Sequence, residues 1–177
     1  HSISLHRADS PADFSYGLKK LEGLHGDRWG EMSLFRREGF RAFHEEIAQA
    51  FALRGWLRLY LLKVDGEDVA VECGFRYGST FLDYQRGWKR AWEQDSVATV
   101  LLAKVIQQEM IQGAREIDFA QGAEDYKYCW TSLSREEVRI TAYRPNWRAR
   151  LVHLSEYRPA WLINLVHSGR SIVSQWR

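Results

Sequence analysis

The chain has 177 residues, of which 45% are hydrophobic and 14% aromatic, and its formal net charge is +2. This composition is sufficient for one domain with a hydrophobic core and argues against an intrinsically disordered chain. No apolar run is long enough to span a membrane and the N-terminus lacks an apolar signal core, so the cytoplasm is the predicted location. Two cysteines, Cys73 and Cys129, are too few for a disulfide framework and lack metal-ligand spacing, so we expect no metal.

Basic residues are concentrated at the C-terminal end of the chain. Residues 131–177 contain eight arginines, no lysine and three glutamates, which gives this segment a net charge of +5. Such a segment could contact phosphate or an acidic partner, although a solvated surface explains it more simply. No stretch has the composition of a linker, so we expect a single domain over residues 1–177. Because the chain begins with His1, we also expect it to be the C-terminal part of a longer protein.

The chain begins with a predicted strand and helix. Residues 2–5 alternate weakly between apolar and polar side chains, which favours a strand. Ser10, Pro11 and Asp13 then form the pattern of a helix N-terminal cap. The glycine-rich segment 26–30 is expected to end this first helix.

A second helix and a three-stranded meander follow. The helix is predicted over residues 37–54, and Gly55 should end it. Its expected buried face consists of Phe40, Phe43, Ile47 and Phe51. We assign no chemistry to the neighbouring His44. Period-2 alternation, interrupted by turn signals of the Asp-Gly and Gly-Ser types, predicts strands over residues 57–61, 69–76 and 80–88.

A long helix and a further strand are predicted next. Residues 89–95 are expected to be irregular, and Ser96 begins a helix with a wide apolar face that ends at Gly113. A strand follows in which Ile117 and Phe119 alternate with acidic residues. This order of strand, helix and strand predicts a right-handed crossover and a parallel pair within an otherwise antiparallel sheet.

A polar turn separates that strand from a short helix predicted from Ala123. Lys127 falls on a different side of this helix from its expected buried face, which consists of Tyr126, Cys129 and Trp130. Further along, alternation over residues 138–143 predicts another strand, and Pro159 can begin a last helix.

The stretch from the long helix to the short one carries a series of motifs in a fixed order: Ser96, Leu101, Gly113, Asp118-Phe119, Gly122, Tyr126-Lys127 and Trp130. In that order and spacing they resemble the CelD/BcsL-like branch of the GNAT acyltransferases, which are relatives of the FemAB peptidyltransferases. The resemblance extends over residues 1–130. A His-x-x-Arg-Trp pattern of the family also has a counterpart here: His25, Arg28 and Trp29. The family helix opens with Ser-Pro-Gly, and this chain has neither the proline nor the glycine: Ser96-Val97-Ala98.

This resemblance implies an α/β fold of the α+β type, with a GNAT-like mixed, mostly antiparallel sheet flanked by helices. It implies an N-acyltransferase that moves an acyl group from acyl-CoA to a small-molecule or sugar amine, in cell-envelope or polysaccharide biosynthesis. Family members commonly carry a second acyltransferase-like lobe, so it also implies such a lobe upstream in the same chain.

The start of the long helix is the predicted cofactor site. Backbone N–H groups at a helix N-terminus, together with the helix dipole, bind pyrophosphate, and acyl-CoA supplies one. We therefore expect an open cleft at the backbone amides of four residues: Ser96, Val97, Ala98 and Thr99. The methyl group of Ala98, where the family has glycine, should weaken or reshape binding. An ordinary cap by the Ser96 side chain would explain the same residues without a ligand.

Amide formation requires that the amine lose a proton and that negative charge on the thioester oxygen be stabilised. Asp118 is the candidate for base or amine-binding group, Lys127 for stabilising charge and Tyr126 for protonating the thiolate. Asp83 and Glu72 are further candidates on neighbouring strands. The structural alternatives are an ion pair of Asp118 with Lys127 or Arg115, a core position for Tyr126 and an exposed one for Glu72. If Lys127 is catalytic, Lys127→Met should lower turnover more than stability.

Several other enzyme classes are excluded because their motifs are missing. The sequence has no nucleophile elbow with a Ser-His-Asp order, no Walker or dinucleotide glycine pattern and no His-x-x-x-His metal pair. Two alternatives to a CoA-dependent enzyme stay open. One is a FemAB-like transferase that takes an aminoacyl group from tRNA, which only the basic C-terminal segment supports. The other is a non-catalytic GNAT-like module in polysaccharide assembly, which would explain the missing glycine.

Overall fold

The computed structural model of the chain describes residues 1–138, 140–144 and 147. The chain divides into two compact units, residues 1–131 and 132–177, and the first contains every helix and strand given below. The prediction of a single domain over 1–177 stays a prediction. Most of the basic segment and the helix predicted from Pro159 lie outside the described residues.

The first unit is a five-stranded sheet with helices on both faces. In chain order its elements are β1 (Ile3–Arg7), α1 (Pro11–Trp29), α2 (Glu38–Leu53), β2 (Leu57–Val64), β3 (Glu67–Tyr77), β4 (Thr80–Trp88), α3 (Val97–Ile111), β5 (Glu116–Asp118) and α4 (Asp125–Tyr128). The strand order is β1-β2-β3-β4-β5. The first four strands are antiparallel to their neighbours, and β5 is parallel to β4. This confirms the predicted mixed, mostly antiparallel sheet flanked by helices.

Each face of the sheet has its own hydrophobic core. On one face Leu21 and Leu24 of α1 belong to a cluster with Leu59 and Leu61 of β2. On the other face residues of α3 pack in a second cluster: Val97, Leu101 and Val105 with Tyr60, Leu62 and Phe81. The two clusters show that α1 and α3 lie on opposite faces of the sheet. Among the described residues, no helix combines the length and apolarity needed to cross a membrane.

The pairing of β4 with β5 is short, and this positions the site. The parallel pair extends over three residues of each strand, from Thr80 to Leu82 on β4. The β4 strand continues to Trp88, so its second half runs past the end of β5. The register with β3 also shifts there, because Gly74 pairs with Asp83 and Cys73 with Gln85. Tyr84 is thus an extra residue on β4, a β-bulge beside the gap between the two strands.

The structure corrects the predicted buried face of α2. Phe43 is 53% exposed, whereas the neighbouring His44 and Ala48 are buried. The imidazole of His44 occupies a core position because both ring nitrogens have partners: Nδ1 lies 2.7 Å from the Phe40 carbonyl oxygen and Nε2 lies 2.6 Å from the Tyr84 hydroxyl. Hydrogen-bonded polar groups can be buried at little cost, and a hydrophobicity pattern does not detect them.

Other predicted boundaries also differ from the structure. The first helix ends at Trp29, inside the glycine-rich segment 26–30 that was predicted to end it, whereas the segment expected to be irregular contains a 3₁₀ turn, Arg90–Trp92. The described residues of the strand predicted over 138–143 form no strand. Val138 and Ile140 are 80% and 88% exposed, so no buried face stabilises an extended pairing there.

Candidate active site

A cavity of about 1200 Å³ surrounds the second half of β4. Seven of the eight predicted site residues line it: Asp83, Ser96, Val97, Ala98, Thr99, Tyr126 and Lys127. The eighth, Asp118, is not part of the lining. Side chains of α1 line the same cavity, so it reaches both faces of the sheet where β4 and β5 separate. A second cavity, of about 860 Å³, lies between α1 and α2 and includes no predicted site residue.

The N-terminus of α3 opens into this cavity, but with fewer free amides than predicted. The Ser96 N–H donates to the Glu93 carbonyl at 3.1 Å, and the Thr99 N–H donates to the Ser96 carbonyl at 2.9 Å. Within the described part of the chain, the N–H groups of Val97 and Ala98 have no acceptor. Only these two of the four predicted amides are therefore available to an anion, next to the positive end of the helix dipole.

Ser96 does not act as a side-chain cap. Its backbone is left-handed, with φ of +54°, and its hydroxyl makes no hydrogen bond to the first turn of α3. A left-handed non-glycine residue is strained, and the capping bond that would satisfy a free amide is missing. The structural alternative weighed for this serine is thus wrong, and the helix N-terminus stays open.

An acidic pair lies against the wall of the cavity. Glu72 of β3 is fully buried, and Asp83 of β4 is nearly so. Arg86 joins them, since its Nε donates to Glu72 Oε2 at 2.6 Å and its Nη2 donates to Asp83 Oδ2 at 2.7 Å. Glu72 Oε1 has no donor among the described residues. The alternative of an exposed strand position for Glu72 is therefore wrong.

Burial changes the protonation of this cluster. It raises the pKa of Glu72 well above its usual value, and the charge of Asp83 adds to that effect, although Arg86 opposes it. A protonated Glu72 can donate a hydrogen bond to Asp83. For Arg86, burial alone would lower the pKa, but the charges of Glu72 and Asp83 outweigh burial and raise it. The cluster thus favours a protonated Glu72 beside the permanent cation of Arg86.

Tyr126 of α4 faces the cavity rather than the core. Its side chain is 43% exposed, and the Arg86 guanidinium lies 5.9 Å from its ring centroid. Burial and then the negative charge of Asp83 raise the pKa of the phenol, so the hydroxyl keeps its proton at neutral pH. It is available as a proton donor. The prediction of a core position for Tyr126 is wrong, and Cys129 of the same predicted face is exposed as well.

Lys127 is buried and holds the loop between β5 and α4. Its Nζ donates to the Gln121 carbonyl at 2.7 Å, lies 3.4 Å from the carbonyl oxygens of Ala120 and Gly122, and pairs with Glu124 at 2.8 Å. The predicted helix from Ala123 is thus only a four-residue turn of helix that buries its lysine.

Asp118 supports the same loop. Its Oδ1 accepts a hydrogen bond from the Ala120 N–H at 2.8 Å, and Ala120 has a left-handed backbone with φ of +57°. The alternative of an Asp118–Lys127 ion pair is not formed, because the lysine is occupied by loop carbonyls and Glu124.

The sequence prediction assigned no chemistry to two side chains of α1 that line the cavity, His25 and Arg28. The Arg28 guanidinium lies 3.7 Å from the Trp88 ring centroid and 4.9 Å from that of Trp29. A side chain at Gly87 would come within 3.0 Å of Leu24 Cβ, so this glycine allows α1 to lie directly on β4. The His-x-x-Arg-Trp pattern was the available signal, but a pattern on α1 does not show which strand it meets.

Comparison with known proteins gives consistent findings. The family model described as an acetyltransferase (GNAT) domain matches residues 1–128. No curated protein matches the chain. Among solved structures, the aminoglycoside acetyltransferase HMB0005 from an uncultured soil metagenomic sample is 18% identical, with a TM-score of 0.55 over 82% of this chain and 100% of that one.

Two further structures have the same arrangement. The aminoglycoside acetyltransferase meta-AAC0020, also from an uncultured soil metagenomic sample and in complex with sisomicin, is 16% identical, with a TM-score of 0.53 over 81% of this chain and 96% of that one. AAC(6')-Iy in complex with a CoA bisubstrate analogue is 15% identical, with a TM-score of 0.51 over 82% and 99%. At these identities the likeness shows a shared fold.

Proposed function

The chain belongs to the GNAT acetyltransferase family, and from this premise we propose that it transfers an acetyl group from acetyl-CoA to an amine of a small molecule. The observation that carries the proposal is the position of the two free amides of Val97 and Ala98 in the same cavity as Asp83 and Tyr126. One end of that cavity is suited to an anion, and groups able to move protons lie within the same cavity.

We assign the binding site of CoA to the α3 side of the cavity. Its pyrophosphate would accept hydrogen bonds from the Val97 and Ala98 amides at the positive end of the α3 dipole. The second half of β4 extends beyond β5, so its edge is open to the amide groups of the pantetheine arm, as a sheet edge is to an added strand. These contacts would place the thioester in the gap between the two strands.

The proposed chemistry uses two groups on this side. Tyr126 keeps its proton at neutral pH and is assigned to protonate the departing thiolate. Asp83, with Glu72 behind it, is a candidate for binding the amine of the acceptor, because its carboxylate lines the cavity. The Lys127 ammonium already donates to loop carbonyls, so we assign it to holding the loop. Asp118 as base or amine-binding group stays a prediction, and its carboxylate accepts a hydrogen bond from the Ala120 N–H in the turn after β5.

The acceptor is proposed to be a small amine. Two of the structures that share the fold are aminoglycoside acetyltransferases, one of them with sisomicin bound, so aminoglycosides and amino sugars are the first class to test. The narrower expectations remain proposals supported by the motif order alone. They are the CelD/BcsL-like branch with its relation to FemAB, a role in polysaccharide biosynthesis and an upstream lobe. A cytoplasmic location also remains a proposal, from the composition of the sequence and not from the motifs.

Thermal shift with CoA and thiol release from acetyl-CoA test the proposal together. CoA should raise the melting temperature, and at least one of sisomicin, glucosamine and lysine should release thiol above the rate of hydrolysis. Ala98→Glu should abolish the CoA shift, because its carboxylate occupies the anion seat while still suiting the first turn of a helix. Ala103→Glu, on an exposed position of the same helix, is the matched control and should keep the shift.

Two results would contradict the proposal. Wild-type protein that is folded but shows no shift at millimolar CoA would remove acetyl-CoA as the donor. An Ala98→Glu protein that binds CoA as wild type does would show that the cofactor lies elsewhere.

A further inference from the structure

His25 lies on the opposite side of β4 from the proposed CoA seat. It belongs to α1, which packs on one face of the sheet, whereas the free amides at the start of α3 belong to the other. Both nevertheless line one cavity, because β4 and β5 separate beyond Leu82. If the cofactor approaches from the α3 side, the acceptor has to approach the thioester from the α1 side. A base for the acceptor is therefore needed on α1 or near it.

The imidazole of His25 is held in one orientation. Its Nδ1 lies 2.8 Å from Ser33 Oγ, and its ring packs edge-to-face on Phe35 with centroids 5.1 Å apart. Ser33 is 2% exposed and does not line the cavity, so it orients the ring without access to a substrate. Nε2 has no hydrogen-bond partner in the described part of the chain. In the tautomer in which Nδ1 donates to Ser33 Oγ, Nε2 carries the lone pair.

The surroundings keep this ring neutral. Burial, and then the positive charge of Arg28 on the same helix, lower the pKa of His25. The side chains in contact with the ring are uncharged: Ser33 and Phe35 from the segment between α1 and α2, and Trp29 of α1. Phe35 also separates the ring from His44 of α2, with centroids 5.1 and 5.3 Å away. A neutral imidazole with a free nitrogen is ready to accept a proton at pH 7.

We propose that His25 is the catalytic base of the transfer and that its Nε2 takes a proton from the ammonium group of the acceptor. This inference rests on the proposed function. The free amine then attacks the thioester carbon, forming the C–N bond, and the C–S bond breaks. As the C–S bond breaks, Tyr126 gives its proton to the thiolate, and the second proton lost by nitrogen passes through solvent to restore the phenol. The imidazolium returns its proton to solvent, so the reaction releases one proton in all. The products are the amide and free CoA.

His25→Asn is the decisive variant, because its amide can keep the bond to Ser33 but has no group at the position of Nε2. With acetyl-CoA and the best amine from the panel, kcat at pH 7 should fall about 100-fold or more, the usual effect of removing a general base. The affinity for CoA, measured by calorimetry, should stay within about twofold. The loss of kcat relative to wild type should become smaller toward pH 9, where more of the acceptor amine is already deprotonated in solution. Added imidazole should restore part of the lost rate.

The pH profile separates a base from a packing residue. Wild-type kcat should rise with pH and level off after an inflection below the ordinary histidine range, and His25→Asn should lack that inflection. Ser33→Ala should keep an inflection at a shifted pH, because Nε2 is present but the ring is no longer oriented.

Three outcomes would overturn the assignment. A His25→Asn protein within about threefold of wild type at pH 7, with the same pH profile, removes His25 from the chemistry while leaving the acetyltransferase function intact. If His25→Asn does not fold, an unchanged profile in Ser33→Ala overturns the proposal. Wild-type protein that neither binds CoA nor releases thiol refutes the proposed function itself, and this inference with it.

Discussion

Two fully buried glutamates, Glu109 on α3 and Glu72 on β3, differ in how their oxygens are satisfied. Glu109 Oε1 accepts from the Tyr60 hydroxyl at 2.6 Å and pairs with Arg58 Nε at 3.2 Å, and its Oε2 accepts from Arg76 Nη1 at 2.7 Å. Glu72 has one partner, Arg86, on Oε2, and Oε1 has none among the described residues.

The difference shows how structure and function are divided in this fold. The partners of Glu109 belong to β2 and β3, so this carboxylate ties α3 to the sheet. Glu72 lies instead beside a second carboxylate at the edge of the cavity and has a raised pKa. A satisfied buried charge is typical of a structural network, whereas an unsatisfied one with a shifted pKa is typical of a functional site.

Removing Glu109 should break the structural network. Glu109→Ala leaves Arg58 and Arg76 as partly buried cations without their carboxylate, which should cost about 3–5 kcal/mol in the free energy of unfolding. Urea denaturation measures this loss. Glu109→Gln, which keeps a side chain of the same shape and one carbonyl acceptor, should cost less. A loss below about 1 kcal/mol in Glu109→Ala would show that the network is not structural.

Lys127 lines the cavity, but its hydrogen bonds to loop carbonyls are those of a structural residue, and a variant can distinguish the two roles. Lys127→Met removes the charged donor to three loop carbonyls, and we expect a loss of about 1.5–3 kcal/mol and faster hydrogen exchange at residues 120–122. Any loss of turnover in Lys127→Met should result from the loosened loop and not from a missing catalytic group. The sequence predicted the reverse order of effects.

Glu124→Gln is the matched control for this variant. It removes the exposed partner of Lys127 and leaves the carbonyl contacts in place, so stability should hardly change. A Lys127→Met protein with wild-type stability and strongly reduced turnover would return Lys127 to the chemistry.

Glu72 should make stability depend on pH in a direction opposite to that of carboxylates whose pKa is lowered by an ion pair. Its pKa is raised on folding, so above about pH 4.5 the unfolded chain releases a proton that the folded protein keeps. The folded state then binds more protons, and stability falls as pH rises toward the folded pKa, by up to about 1.4 kcal/mol per pH unit. Glu72→Gln should flatten that slope in urea denaturation between pH 5 and 8. The exposed variant Glu45→Gln should not, and equal slopes in all three proteins would refute the raised pKa.

The smallest effect is expected at Ala98, which lines the cavity of the candidate site. Ala98→Gly removes a methyl beside the free amide, so CoA affinity should stay unchanged or increase, while the loss of helix propensity costs about 0.5–1 kcal/mol. Calorimetry and thermal denaturation measure the two effects separately. A large loss of affinity in a folded protein would show that this amide does not meet the phosphates.

The sequence alone determined the order of the elements and the sheet. Period-2 alternation and two turn signals predicted β2, β3 and β4, and the order of strand, helix and strand predicted the parallel pair of β4 and β5. Those features follow from local backbone preferences, which the chain encodes residue by residue. Ser96, Tyr126 and Asp83, which the sequence proposed as site residues, line one cavity, and their roles stay predictions.

Only the tertiary structure decided which side chains face the core and which face the cavity. His44 and Lys127 are buried in place of Phe43 and Tyr126, because their partners are a tyrosine hydroxyl on another strand and carbonyls of a folded loop. Packing also places Asp118 outside the cavity and His25 inside it. His25 reaches the cavity because α1 packs on β4 at Gly87, which is more than 60 residues later in the chain. Hydrophobic patterns record the polarity of a residue, but the partner that makes a buried polar group stable is fixed by packing between distant elements.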